Sequence, residues 1–157
     1  TPVSFYMANL TTDGNDQTGV QIVHDTAPYL PCLITDSPKC APVKFYVSEV
    51  FDLGGGGMVA STPGDPTRFA VYLSCDPAVL HTCDPVGKYT GNSDFYGTIY
   101  APNGTVNIGG NGDIFGAVTA YNVTTMGGAM VHYDLALKNK FGTVTAFRVV
   151  SQSRNVF

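Results

Sequence analysis

The sequence predicts an all-β fold, a single-stranded parallel β-helix (β-solenoid), ending in a short C-terminal capping helix and a final strand. Two observations predict it: a composition of strand formers broken by turn residues, and one strand unit used twice in tandem. Of the 157 residues, 44% are hydrophobic and only 13% charged, with eighteen Gly, ten Pro and no Trp. Val, Thr, Tyr and Phe favour a pleated, half-buried surface, and Gly and Pro punctuate it. The unit Tyr89–Asn103, YTGNSDFYGTIYAPN, returns as Ile108–Asn122, IGGNGDIFGAVTAYN, 19 residues later, with six of fifteen positions identical. Self-similarity at a fixed period is the mark of stacked repeats, because one unit cannot bury its inner face alone. The alternative is two similar hairpins in a β-sandwich.

One domain is expected over residues 1–157, in three parts. Residues 1–44 form an N-terminal cap and loop region: a strand at 3–8, a polar turn at 11–19, a short strand at 20–23 and a Pro-rich loop at 25–43. Residues 45–133 form the coils. Val43–Leu53 is strand-like and runs into four glycines, Gly54–Gly57, and Arg68–Ser74 is another strand. In the repeat, Ile99 and Val118 are expected to stack in register. Gly97, Gly116, Ala101 and Ala120 fall where the tube is narrow. Asn92/Asn111 and Asn103/Asn122 stand at corners, where Asn tolerates left-handed backbone and can ladder between coils. Residues 134–157 form the C-terminal cap: Asp134 as N-cap, Lys138 and Lys140 at the helix end, and a strand from Thr143 to Val150.

The cysteines pair by spacing. Cys32 and Cys40 enclose seven residues, as do Cys75 and Cys83, and each loop carries proline. Two local disulfides are expected, the first within the N-terminal region, and with them an extracellular or periplasmic setting. A zinc site is the alternative, but the C-x-x-C knuckle that zinc sites use is missing. A net charge of -4 without a Lys/Arg cluster argues against nucleic acid as partner. No apolar run approaches the ~20 residues of a membrane span. Any anchor is therefore expected to precede Thr1, and the chain reads as a processed or truncated ectodomain.

No nucleophile elbow, phosphate loop or zinc motif occurs, and catalytic residues are assigned to none. His24, His81 and His132 are the histidines. His132 and Asp134 share a face if they lie in a strand, but a packed His132 and a capping Asp134 are the simpler expectation. Asp13, Asn15 and Asp16 offer oxygens for calcium, the one cofactor the sequence suggests. The distal bidentate Glu of a calcium loop is missing, so a solvated turn is expected. Asn9, Asn103 and Asn122 fit the glycosylation sequon, although repeat corners already account for the last two. Tyr96, Tyr100 and Tyr121 alternate with core positions. They form a candidate strip for a protein or glycan partner.

The stretch Phe95–Leu137, FYGTIYAPNGTVNIGGNGDIFGAVTAYNVTTMGGAMVHYDLAL, resembles the C-terminal domain of PilX-like type IV pilus-associated (minor-pilin-like) bacterial surface proteins. The matching residues are Tyr96, Gly97, Ile99, Tyr100, Ala101, Pro102, Asn103, Val106, Gly110, Asn111, Gly116, His132, Tyr133, Asp134 and Leu137. A looser likeness extends back to Phe45. Leu135, Tyr121 and the two cysteine loops depart from the pattern. The resemblance implies a β-helical ectodomain on a cell surface or pilus and no established activity. The expected role is non-enzymatic, in adhesion or filament assembly. Its partners would be pilin-like or surface proteins, copies of itself, or a glycan. A carbohydrate-degrading β-helix enzyme is the alternative. It would need clustered acids on one face, where the repeat offers only Asp94 and Asp113.

Overall fold

In the computed structural model, residues 2–12, 20–22, 42–55, 58–60, 65–74 and 86–139 are described. Among them the fold is all-β with only parallel strand pairs. The strands are β1 (Val3–Thr12), β2 (Val20–Ile22), β3 (Val43–Leu53), β4 (Met58–Ala60), β5 (Phe69–Leu73), β6 (Val86–Tyr89), β7 (Phe95–Ile108), β8 (Ile114–Thr125) and β9 (Val131–Tyr133). The main sheet runs β1-β3-β5-β7-β8-β9, while β2 and β4 pair separately.

The single-stranded β-helix is not what forms. β3 pairs with β5 through Val43–Val47 and with β6 through Val50–Leu53. β7 likewise pairs with β5 through Thr98–Tyr100 and with β6 through Thr105–Ile108. Four parallel strands, β3, β5, β7 and β6, therefore close a ring, and β1, β8 and β9 extend it as a sheet. The reason lies in strand length. β3 and β7 have 11 and 14 residues, enough to serve two partners each, whereas β5 and β6 have 5 and 4. The two short strands thus share the level between the two long ones. The 19-residue period holds between β6 and β7 and over Phe95–Ala101 of β7 against β8, and falls to 17 from Thr105 onward. Phe5, Phe45, Val71, Ile99 and Val118 stand in one column, so the chain takes steps of 40, 26, 28 and 19 residues.

Within β7 and β8 the repeat pairs as its spacing predicts: Phe95 with Ile114, Gly97 with Gly116, Ile99 with Val118 and Ala101 with Ala120. The register then shifts, setting Thr105 rather than Asn103 opposite Asn122. The expected Asn103/Asn122 ladder is therefore displaced by a bulge, while Asn111 does donate to Asn92 at 3.3 Å. Glycine is required where the levels touch. A Cβ on Gly116, at φ 152°, would lie 1.8 Å from the Gly97 carbonyl oxygen, and one on Gly110, at φ 88°, would lie 2.4 Å from that of Gly91.

The core is a stack of inward side chains. Phe51, Leu53, Val71, Leu73, Tyr89, Phe95, Ile108 and Ile114 are buried. Phe5, Phe45, Phe69 and Phe95 pack edge to face with centroids 5.4, 5.3 and 5.5 Å apart. Such pairs add roughly 0.5–1.5 kcal/mol each beyond burial. Burial raises the Tyr89 phenol above its ordinary range, with the Asp94 carboxylate adding to the effect. Its hydroxyl donates to the Ser93 carbonyl.

In place of a C-terminal capping helix there is a five-residue 3-10 turn, Leu135–Asn139. The Leu137 N–H bonds the Asp134 carbonyl, and the buried Leu137 side chain anchors the turn. The expected final strand at 143–150 lies outside the described residues. A second 3-10 turn, Pro66–Arg68, is capped by Asp65, which accepts from the Thr67 N–H at 3.0 Å and from Arg68 Nε at 2.9 Å.

Candidate functional site

Outward positions of successive parallel strands fall in columns, because residues in register keep their side chains on one face. Tyr6, Tyr46, Tyr72 and Tyr100 occupy one such column. The first three rings are stacked, with centroids 4.8 and 4.9 Å apart and planes within 13°. Tyr100 closes the column edge to face at 6.0 Å. Lys44 Nζ lies 5.8 Å from the Tyr72 ring centroid. Four residues earlier in β7, Tyr96 begins a second column with Phe115 and His132, stacked at 5.0 and 4.7 Å.

The strip expected from Tyr96, Tyr100 and Tyr121 is thus divided. Tyr96 and Tyr100 belong to different columns, and Tyr121 stands apart, 84% exposed, at the bend of β8. Sequence reasoning missed Tyr6, Tyr46 and Tyr72. The available signal was the repeated pair Phe5-Tyr6 and Phe45-Tyr46, which places one ring inward and the next outward.

Stacking decides what this face can do. Rings in a column spend their flat faces on each other and offer edges and hydroxyls to solvent. Tyr6, at the end of its column, is 78% exposed. Beside it runs a shallow groove of about 430 Å³, lined by Tyr6, Met7, Ala8, Tyr46, Val47, Ser48 and Ser74. It is open and mostly apolar, a contact surface rather than an enclosing pocket.

The polar residues of the repeat bind one level to the next. Asp94 accepts the Asp113 N–H at 3.0 Å, and Asp113 accepts the Met130 N–H at 2.9 Å. The other Asp113 oxygen lies 3.0 Å from His132 Nε2. The Met130 hydrogen bond, then that of His132, holds the Asp113 carboxyl below its ordinary value. Thr124 donates to Asn107 one level away. His132 therefore pairs with Asp113, one level back, rather than with Asp134. At Asp65, burial pushes the carboxyl up, but hydrogen bonds from Thr67 and Arg68 outweigh it and the net shift is downward.

Cys32, Cys40, Cys75, Cys83, the calcium candidates Asp13, Asn15 and Asp16, and His24 and His81 lie outside the described residues. Among the described residues, no group of three or more His, Cys, Asp or Glu side chains gathers to hold a metal ion. Nor, among them, is any helix long and apolar enough to cross a membrane.

No curated protein and no solved structure matches the chain. The family model described as Domain of unknown function (DUF7305) matches residues 9–140. That match spans most of the length and both aromatic columns from Tyr46 onward, and the chain belongs to this family.

Proposed function

We propose that this is a non-enzymatic structural or adhesive domain of a pilus-associated or filament-forming surface protein, working outside the cell. The observation that carries the reading is where the polar and aromatic residues go. Asp94, Asp113, Asn92, Asn111 and Asn107 are spent on bonds between strand levels. The outward face carries the Tyr columns and a shallow apolar groove. Such a face suits contact with an extended protein surface, where aromatic rings supply area at low entropic cost. The likeness of Phe95–Leu137 to the PilX-like pilus-associated domain supports the same setting, with pilin-like or surface proteins as partners. The low charge content fits packing against protein rather than nucleic acid.

The test is immunogold labelling of intact source cells with antibody to this domain. Label along filaments or the cell surface is the expected result. Label that appears only after lysis would overturn the proposal.

A further inference from the structure

We infer that the two outer edges of the sheet form a head-to-tail interface between copies of this chain. The inference rests on the structural reading above for its setting and names the partner: a second copy, added by strand pairing.

The two edges are β1 and β8. Among the described residues, β1 pairs only with β3, and β9 covers β8 only at Ile114–Gly116. The Asp134 N–H still takes the Gly116 carbonyl, so among the described residues the uncovered part of β8 is Val118–Thr125. Natural sheets blunt such edges with charge or proline. Neither Val3–Thr12 nor Ile114–Thr125 contains a charged residue or a proline. The interior strands do carry them: Lys44, Glu49 and Asp52 in β3, Lys88 in β6, Pro102 in β7.

The two edges also match each other residue for residue. Following the columns through the ring, Ser4 corresponds to Ala117, Phe5 to Val118, Tyr6 to Thr119, Leu10 to Val123 and Thr12 to Thr125. Between these strands, β3 and β7 insert extra residues at the bend: Val47 to Val50 faces Met7 to Asn9, and Ala101 to Thr105 faces Ala120 to Asn122. β1 and β8 each cross the bend with one residue, Ala8 and Tyr121. Phe5–Thr12 can therefore lie along Val118–Thr125 without a bulge, starting just past the level where Asp134 bonds Gly116.

Inward side chains complete the fit. Phe5, 47% exposed, would cover Val118, and Leu10 would cover Val123, which is 42% exposed. All strands run parallel, so the edge of β8 and the edge of β1 lie at opposite ends of the same stack. Pairing them is heterologous and leaves a free edge at each end, which propagates.

The experiment is sedimentation velocity of the intact chain across a wide concentration range, with two single-edge variants. Phe5→Lys blocks the head and Val123→Lys blocks the tail; circular dichroism checks their folding, with Leu10→Lys and Thr119→Lys as second choices. The wild type is expected to grow in mass with concentration without a plateau, and each variant alone to lose every species above monomer. Mixed in equal amounts, the variants should form dimers and nothing larger, since one free head and one free tail remain. A wild type that stays monomeric, as it would if another segment of the chain covers these edges, would overturn the inference. So would a closed wild-type dimer, or polymers from a folded single-edge variant. Assembly without surface labelling would refute the proposed setting alone, and labelling without assembly would refute this interface alone.

Discussion

The β7–β8 pair and the β1–β3 pair are built by the same rule and end in opposite states. Both are parallel, both shift register once, and both stack aromatic side chains level on level. Yet β7 alternates buried positions along nearly all its length, while β1 is exposed at seven of its ten residues. Side chains of β7 are enclosed by the ring, whereas among the described residues those of β1 have a level on one side only. The β7–β8 contact also relies on glycine against backbone and on the Asp94 carboxylate, which accepts the Asp113 N–H. The β1–β3 contact is bridged by Asn9, which accepts from the Val50 N–H at 3.1 Å and donates to Glu49, and by Thr12, which bonds Gly54. Position in the stack, more than local sequence, separates a core strand from an edge.

The sharpest way to break the comparison is Gly116→Val. The new side chain would meet the Gly97 carbonyl at a backbone angle that L residues rarely adopt. We expect a loss of more than ~4 kcal/mol, read as failure to give a cooperative thermal transition. Gly128→Ala, with nothing within 4 Å of the added carbon, is the control and should change stability by less than about 0.5 kcal/mol.

Next in size is the difference between the two end phenylalanines of the edge-to-face stack. Phe95→Ala, at a fully buried site, should cost roughly 3–5 kcal/mol in chemical denaturation. Phe5→Ala, half exposed on β1, should cost about 1 kcal/mol. Equal costs would mean that β1 is as enclosed as the ring.

The smallest effect concerns the bond that seats the turn before β9. The Asp113 carboxyl is held below its ordinary value by the Met130 N–H and His132. A carboxyl lowered in the folded state stabilises above its unfolded value and loses that contribution as pH falls through the folded one. Asp113→Asn should therefore lower Tm near neutral pH and flatten its fall below about pH 4. The two curves should converge in acid. Parallel curves would show that Asp113 contributes nothing pH-dependent.

Much of the tandem unit was legible, because its 19-residue spacing places Phe95 on Ile114 and Ile99 on Val118 with no turn to interpret. The Asn92–Asn111 ladder followed from the same spacing. The closed ring was not legible. It depends on β3 and β7 each reaching two partners, and the column through Phe5, Phe45 and Val71 is spaced by loops of unequal length that no fixed period reveals. The Tyr column was hidden for the same reason, since Tyr6, Tyr46 and Tyr72 become neighbours only once those loops close. The sequence predicts a packed His132 and a capping Asp134, and gives no sign of Asp113. The His132 ring continues the column begun by Tyr96 and Phe115, which carries it to Asp113.

Among the described residues, a closed parallel ring carries open edges on β1 and β8. Residue-resolved hydrogen exchange on dilute protein tests it most directly. Amides bonded within the ring, in β5 and β7, should exchange only through global opening. The amides of Ser4–Thr12 and Val118–Thr125 that face away from β3 and β7 should exchange at rates near those of unstructured chain. Protection at those outward amides equal to that of the ring would contradict the account.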